Sequence, residues 1–167
     1  MRKSIIAILV TFCLSIMTYA QTPRDRATEL KEQAQSSLNQ KDYIKARYLF
    51  KKAYEAFATR ENYPQAIECG VQANALYVRE NFYKEGFELC RDMDQLIWAG
   101  EQNQKKVFYD LRFLVNKERL QMYTALKNPA QAKTQLNKLE ETANLAKNDS
   151  LTEVLLPTKP NYYSTSN

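Results

Sequence analysis

The side chains that usually perform catalysis or bind metals are scarce in this chain of 167 residues. It contains no histidine, which removes the commonest general base and the commonest zinc or copper ligand. Neither a glycine-rich phosphate loop nor a nucleophile elbow is present. Acid pairs such as Glu140–Glu141 are ordinary on the solvated face of a helix. The sequence therefore predicts a protein that is not an enzyme and that uses no metal and no cofactor.

Two of the three cysteines, Cys69 and Cys90, lie outside the amino-terminal segment, and neither belongs to a Cys-x-x-Cys pair that would suggest a zinc site. On antiparallel helices that meet near Asn81, they would stand at unequal distances from the turn. The resulting offset of about 4.5 Å along the axis, added to a helix separation of about 8–10 Å, exceeds the reach of a disulfide. We therefore expect two free thiols.

Residues 1–20 have the order of features found in a signal peptide. Two basic residues near the start are followed by an apolar run over 5–17, which is too short for a comfortable membrane span. Small residues then occupy the positions that a signal peptidase recognises. We expect cleavage before Gln21 and a chain that is periplasmic or secreted. The alternative is an uncleaved amphipathic or membrane anchor.

The composition of the chain is ordinary for a soluble globular protein, with 26% charged and 44% hydrophobic residues. The net charge of +5 falls by two if residues 1–20 are removed, and the remaining charges are evenly spread. Such a mild excess does not argue for a nucleic-acid partner. No second apolar stretch is long enough to span a membrane, so no membrane span is expected in the mature chain.

Turn signatures divide the chain into helices. An Asp or Asn before an aromatic residue or proline can cap the first turn of a helix, and glycine is too scarce, with three residues, for a strand-rich fold. Gly100 and the polar stretch 101–104 predict a further break. The signatures are Lys41-Asp42-Tyr43, Glu61-Asn62-Tyr63-Pro64, Glu80-Asn81-Phe82-Tyr83 and Lys127-Asn128-Pro129. The predicted helices span 24–40, 43–60, 63–80, 83–99, 104–126 and 129–147.

The predicted helices form consecutive pairs that resemble the tetratricopeptide repeat. Small residues stand where two helices of that family approach closely, and aromatic residues stand beside them. The match is best over 27–60 and extends with more divergent copies to 147. The residues that carry it are Ala34, Tyr43, Ala46, Phe50, Ala53, Tyr77, Tyr83, Gly86, Tyr123 and Ala132. The resemblance implies an all-α, right-handed solenoid of about three antiparallel helix pairs over 21–150, with an irregular tail over 151–167. A plain helix bundle is the alternative.

In tetratricopeptide solenoids the first helix of each pair lines the concave surface. The resemblance therefore implies a groove of long polar side chains that could bind carboxylates or peptide carbonyls. The implied groove residues are Lys31, Gln35, Gln72, Arg79, Lys117 and Gln121. The carboxylate clamp of the co-chaperones is not reproduced, because Leu114 and Glu118 stand where further basic groups belong. An ordinary solvated face is the alternative.

Many aromatic residues recur at helical spacings, and we expect them to pack between helices because aromatic rings bury large areas. Stacking on a ligand is the alternative. The residues are Tyr48, Tyr54, Phe57, Tyr77, Phe87, Trp98, Phe108 and Phe113.

These features favour a module that binds a protein or a peptide and acts as an extracytoplasmic interaction scaffold. A second hypothesis is a fragment of a sensor ectodomain, because the chain looks like the exported tetratricopeptide region that precedes a membrane span and signalling domain in some bacterial sensor kinases and regulators. A third hypothesis is an enzyme, such as a hydrolase, with an unrecognised site.

The carboxyl-terminal segment gives one further expectation. A helix-like stretch over 151–156 is stopped by Pro157 and Pro160, and a polar tail follows. We expect this tail to leave the apolar side of the last helix uncovered, where Leu136, Leu139 and Leu145 recur. An uncapped repeat array is prone to self-association. The alternative is a tail that folds back as a cap.

Overall fold

The computed structural model describes residues 23–146, which are all-helical with no strand. The helices in this range are α1 Pro23–Asn39, α2 Tyr43–Ala58, α3 Tyr63–Arg79, α4 Tyr83–Gln104, α5 Tyr109–Ala125 and α6 Pro129–Ala146. Each helix packs against the next one along the chain, and α3 also contacts α5. The all-helical prediction is confirmed for this range. The predicted signal peptide and the stretch over 151–156 with its tail lie outside the described residues.

The same tight turn joins the helices at four places, and each turn contains a left-handed residue that is not glycine. These residues are Lys41, Glu61, Asn81 and Lys127, with φ of 63°, 57°, 61° and 52°. In each turn the amide of the following residue donates to the carbonyl five residues back, at 2.9–3.1 Å. This pattern closes the carboxyl end of a helix. It offsets the cost of roughly 1–2 kcal/mol that a side chain incurs in the left-handed region.

Three of the predicted capping residues start their helices as expected. The side chains of Asp42, Asn62 and Asn128 accept hydrogen bonds from amides three residues later. The expectation was wrong for Asn81, which occupies the left-handed position of its turn instead. The residue before α4 is Phe82, whose side chain makes no capping hydrogen bond.

The predicted break at Gly100 was also wrong, because α4 continues to Gln104 and ends at Lys105, which has φ of 50°. Gly100 is buried where α4 meets two aromatic rings. A methyl group in its place would lie 2.8 Å from a ring carbon of Phe108 and 2.9 Å from one of Tyr63. The glycine therefore allows close packing and does not end the helix, and α5 starts at Tyr109, later than predicted.

Two clusters of buried side chains form the core. The larger one extends from α1 to α5 and includes Phe50, Ile67 and Met93. The smaller one joins α5 to α6 and consists of Phe113, Leu120, Ala132, Leu136, Leu139 and Ala143. Helix α5 contributes to both clusters, because Leu111, Val115 and Met122 belong to the larger one.

The outer side of α6 does not have the apolar face that the sequence suggested. Leu136 and Leu139 are buried against α5, so the expectation that they remain uncovered was wrong. Leu145 is exposed, as expected. Most other exposed positions of α6 are polar, among them Lys133, Thr134, Asn137, Lys138, Glu141 and Asn144. Self-association through the carboxyl-terminal end stays a prediction.

Cys69 and Cys90 are buried free thiols, which confirms that they do not form a disulfide with each other. Burial raises the pKa of Cys69 to about 11 and that of Cys90 to about 12, so both thiols are protonated at neutral pH. Within residues 23–146 no helix is long and apolar enough to cross a membrane.

Candidate binding surfaces

The groove residues predicted on α1 are already engaged by neighbouring side chains. The ammonium of Lys31 lies 2.8 Å from Gln65 Oε1 and 2.8 Å from Glu68 Oε2, both on α3. Gln35 is exposed and donates to Asn39 Oδ1 at 3.2 Å. Lys31 therefore links two first helices of the predicted pairs, and its charge is partly neutralised there.

The groove residues predicted on α3 and α5 do not converge on one feature. Gln72 is exposed, whereas the guanidinium carbon of Arg79 lies 4.0 Å from the centroid of the Tyr43 ring on α2. Lys117 is half-buried and Gln121 is exposed on α5. Helices α1, α3 and α5 are neighbours, but the cations Lys31 and Arg79 both have partners within the protein.

The residues that carry the family resemblance lie at contacts between helices. Ala34, Ala46, Ala53 and Ala132 are fully buried, and Phe50 is 1% exposed. Gly86 on α4 is buried against α5, and a methyl group in its place would lie 2.8 Å from Met122 Sδ. The four tyrosines, Tyr43, Tyr77, Tyr83 and Tyr123, are half-buried.

Residues of α4, α5 and α6 form a concave surface with a volume of about 480 Å³. We call it the Trp98 cleft. The sequence analysis did not predict it. Its lining residues are Asp94, Ile97, Trp98, Tyr109, Arg112, Asn116, Arg119, Lys138, Glu141, Thr142 and Leu145. On each helix these residues are mostly three or four positions apart, so they share one face. That spacing is the only signal of the cleft that the sequence contains.

The apolar walls of the cleft are unusually exposed for such large side chains. Trp98 is 62% exposed on α4 and Leu145 is 55% exposed on α6. The prediction that Trp98 packs in the core was wrong, and it was also wrong for Tyr48, which is 61% exposed. Trp98 is exposed because the neighbouring Ile97 on α4 enters the core, so the adjacent face of the helix carries Trp98.

Two arginines in the cleft are held in place by carboxylates. Arg119 donates to Asp94 Oδ2 at 2.5 Å. Arg112 forms a two-pronged ion pair with the buried Glu101, in which Nε lies 2.7 Å from Oε1. The hydrogen bond from Arg112 keeps the pKa of Glu101 below its ordinary value, and the amide of Phe108 also donates to Glu101 at 2.8 Å. The guanidinium groups are thus positioned before any ligand arrives.

The chemistry of the lining is suited to recognition. It combines one indole, one phenol, two arginines, one lysine and two aliphatic side chains with two carboxylates, one amide and one hydroxyl. Such groups provide apolar contact and hydrogen-bond donors for carboxylates and backbone carbonyls. In the range 23–146 no cluster of three His, Cys, Asp or Glu side chains is arranged to hold a metal ion.

The chain has no significant similarity to any protein-family model, to any curated protein sequence or to any solved structure.

Proposed function

We propose that this protein is a non-enzymatic, exported interaction module of tetratricopeptide type, with a right-handed solenoid of helix pairs, that binds a protein or peptide segment in the Trp98 cleft. The observation that carries the proposal is the pairing of an exposed tryptophan and leucine with two pre-positioned arginines in one concave surface.

The composition of the cleft supports a protein ligand. Tryptophan, tyrosine and arginine are the residues that most often dominate the binding energy of protein interfaces. Trp98, Tyr109, Arg112 and Arg119 bring all three types together. Because the two arginines are already fixed by Glu101 and Asp94, less side-chain entropy is lost when a ligand binds.

The tetratricopeptide assignment is supported by the recurrence of one turn and of small buried residues at helix contacts. The turns at Lys41 and Lys127 have the same left-handed residue and are each followed by a capping Asp or Asn. Ala46 and Ala132 lie one turn after these two caps and are fully buried.

The proposal can be tested with the only tryptophan of the chain, because Trp98 itself reports on the cleft. Peptides are selected from a displayed random library on the purified protein and then titrated while Trp98 fluorescence is recorded. We expect saturable changes in fluorescence. We also expect Leu145→Ala or Arg119→Ala to weaken binding by about tenfold, which corresponds to about 1.4 kcal/mol.

Gln35→Ala and Gln72→Ala provide matched controls, because both residues are exposed on the predicted concave face and neither lines the Trp98 cleft. Selected peptides that bind the Leu145 and Arg119 variants normally but lose affinity for the Gln35 and Gln72 variants would move the site to that face. The absence of any selected peptide would count against the proposed function as a whole.

A further inference from the structure

A second concave surface lies on α2, on another part of the molecule from the Trp98 cleft. It has a volume of about 390 Å³ and is lined by Ile44, Arg47, Tyr48, Lys51, Lys52, Glu55 and Tyr77. We call it the Tyr48 cleft. Ile44 is 69% exposed and Tyr48, one helical turn later, is 61% exposed. Phe82, at the start of α4, is 44% exposed and contacts Arg47.

The charge around this cleft is strongly one-sided. Helix α2 carries four cations and one carboxylate. Lys45 lies three positions before Tyr48, and Lys51 and Lys52 lie three and four positions after it. These spacings place the three lysines around the Tyr48 ring on the helix surface. None of the exposed acidic residues of α4 lines the cleft.

The acidic groups in this region already have partners. Glu55 pairs with Lys52 at 2.8 Å, Glu80 pairs with Arg47, and Asp42 caps α2. Within residues 23–146, no acidic side chain pairs with Lys45 or Lys51. The cleft therefore combines exposed apolar side chains with Lys51, a lining cation that pairs with no acidic side chain of the described structure.

One wall of the cleft is rigidly built. The guanidinium carbon of Arg47 lies 4.8 Å from the ring centroid of Tyr77 and 5.1 Å from that of Phe82. Contacts of this kind are attractive, because the face of an aromatic ring carries partial negative charge. The ion pair with Glu80 adds a further restraint, so α2 is fixed to the turn between α3 and α4.

We propose that the Tyr48 cleft is a second binding site and that it takes an acidic protein segment with an aliphatic or aromatic side chain between its carboxylates. The apolar side chain contacts Ile44 and Tyr48, and the carboxylates lie beside Lys51 in the cleft and Lys45 on the adjoining surface of α2. A protein segment fits better than an anionic membrane surface, because the site is concave and its apolar groups partly line the cleft. A flat bilayer would contact only its rim.

The test uses a short synthetic peptide that alternates glutamate with leucine and phenylalanine, labelled with a fluorophore for anisotropy. The same peptide with glutamine in place of glutamate is the ligand control. We expect the acidic peptide to bind with an affinity that falls as salt increases, because exposed charges are screened. The glutamine peptide should bind at least about tenfold more weakly, since charge complementarity is lost.

Variants of the protein locate the site. Lys51→Glu should weaken binding of the acidic peptide by about tenfold or more, and Tyr48→Ser by about fivefold. Lys133→Glu on α6 is the charge-matched control and should change little, because Lys133 lines neither cleft. All these residues are exposed, so the thermal melts should remain unchanged.

Equal affinity for the acidic and glutamine peptides, or undiminished binding by the Lys51→Glu variant, would overturn the proposal. Binding to vesicles that contain phosphatidylglycerol, without binding to the peptide, would replace it with a membrane contact. Leu145→Ala should leave binding of the acidic peptide unchanged, so failure of this site and failure of the Trp98 cleft give different results.

Discussion

The first four helices and the last two differ in the cores that they surround. Between α1 and α4, three turns share one geometry and the helices share one continuous core. The connection from α4 to α5 is longer, because α5 starts only at Tyr109 although α4 also ends on a left-handed residue, Lys105, and α5 and α6 surround a separate, smaller core. The ion pair between the buried Glu101 and the half-exposed Arg112 supports this connection, together with a backbone hydrogen bond from the Lys106 amide to the Glu101 carbonyl.

The seam between the two regions contains a pair of buried polar side chains. Asn74 on α3 donates to Glu118 on α5 at 2.9 Å, and both side chains are buried. Gly86 lies beside Asn74, since a methyl group in its place would be 3.0 Å from Asn74 Oδ1. A buried carboxylate with a single neutral partner costs stability. The attachment of the carboxyl-terminal pair to the first four helices therefore combines the apolar contacts of Leu111, Val115 and Met122 with one polar contact that costs stability.

The largest effect is expected from removal of the aromatic residue at the centre of each core. Phe50→Ala and Phe113→Ala should each lower the free energy of unfolding by about 3–5 kcal/mol, because both rings are almost fully buried. Urea denaturation gives the size of each loss. Hydrogen exchange tests the comparison of the two regions: Phe113→Ala should speed exchange in α5 and α6 more than in α1 and α2. Equal acceleration in all helices would mean that the two cores unfold as one unit.

The next effect concerns the connection between α4 and α5. Glu101→Gln should lower the free energy of unfolding at pH 7 by about 1–3 kcal/mol, since Arg112 and the Phe108 amide lose a charged acceptor. The pKa of Glu101 is lowered in the folded protein by the hydrogen bond from Arg112. Its contribution is therefore fully present above the unfolded pKa and is lost as the pH falls through the lower folded value.

The measurement is a series of urea denaturation curves between pH 7 and pH 3. The difference between the native protein and Glu101→Gln should shrink below the ordinary carboxyl pKa of 4.5. Glu88→Gln, on the exposed face of α4, is the control for a general charge effect. A Glu101→Gln variant that is as stable as the native protein at pH 7 would show that the ion pair does not hold the connection.

The smallest effect, of opposite sign, is expected at the seam. Burial raises the pKa of Glu118 above the value in the unfolded chain. The free energy of unfolding should therefore fall as the pH rises through the unfolded pKa, and it should stop falling once the pH is above the folded pKa. Glu118→Gln removes this cost and brings an amide donor close to Asn74 Oδ1, which has no hydrogen-bond partner in the described structure. We expect a gain of about 1 kcal/mol at pH 7.

Thermal melts at several pH values check this prediction, and the gain should disappear near pH 4. Glu141→Gln on the exposed face of α6 is the control. A loss of stability in Glu118→Gln at pH 7 would indicate that the charged carboxylate strengthens the contact between α3 and α5.

The amino-acid sequence alone determined the helical architecture and most helix starts. Capping depends on residues within about one helical turn, so Asp42, Asn62 and Asn128 could be assigned without knowledge of the fold. The same local rule placed Asn81 wrongly, because the cap and the left-handed position are adjacent and an asparagine suits both. Burial of the small residues, such as Ala46, follows from a spacing that is also visible in the sequence.

Only the tertiary structure decided which faces of the helices remain open. Trp98 and Tyr48 have the same helical spacing as buried aromatic residues, and their exposure depends on helices that are distant along the chain. Gly100 allows α4 to pass close to Tyr63 and Phe108, which a local signal cannot distinguish from a break. Lys31 is engaged by Glu68 because α1 and α3 approach each other, although α2 separates them along the chain. Local hydrogen bonding therefore fixes where helices begin, whereas packing between distant segments fixes which side chains a ligand can reach.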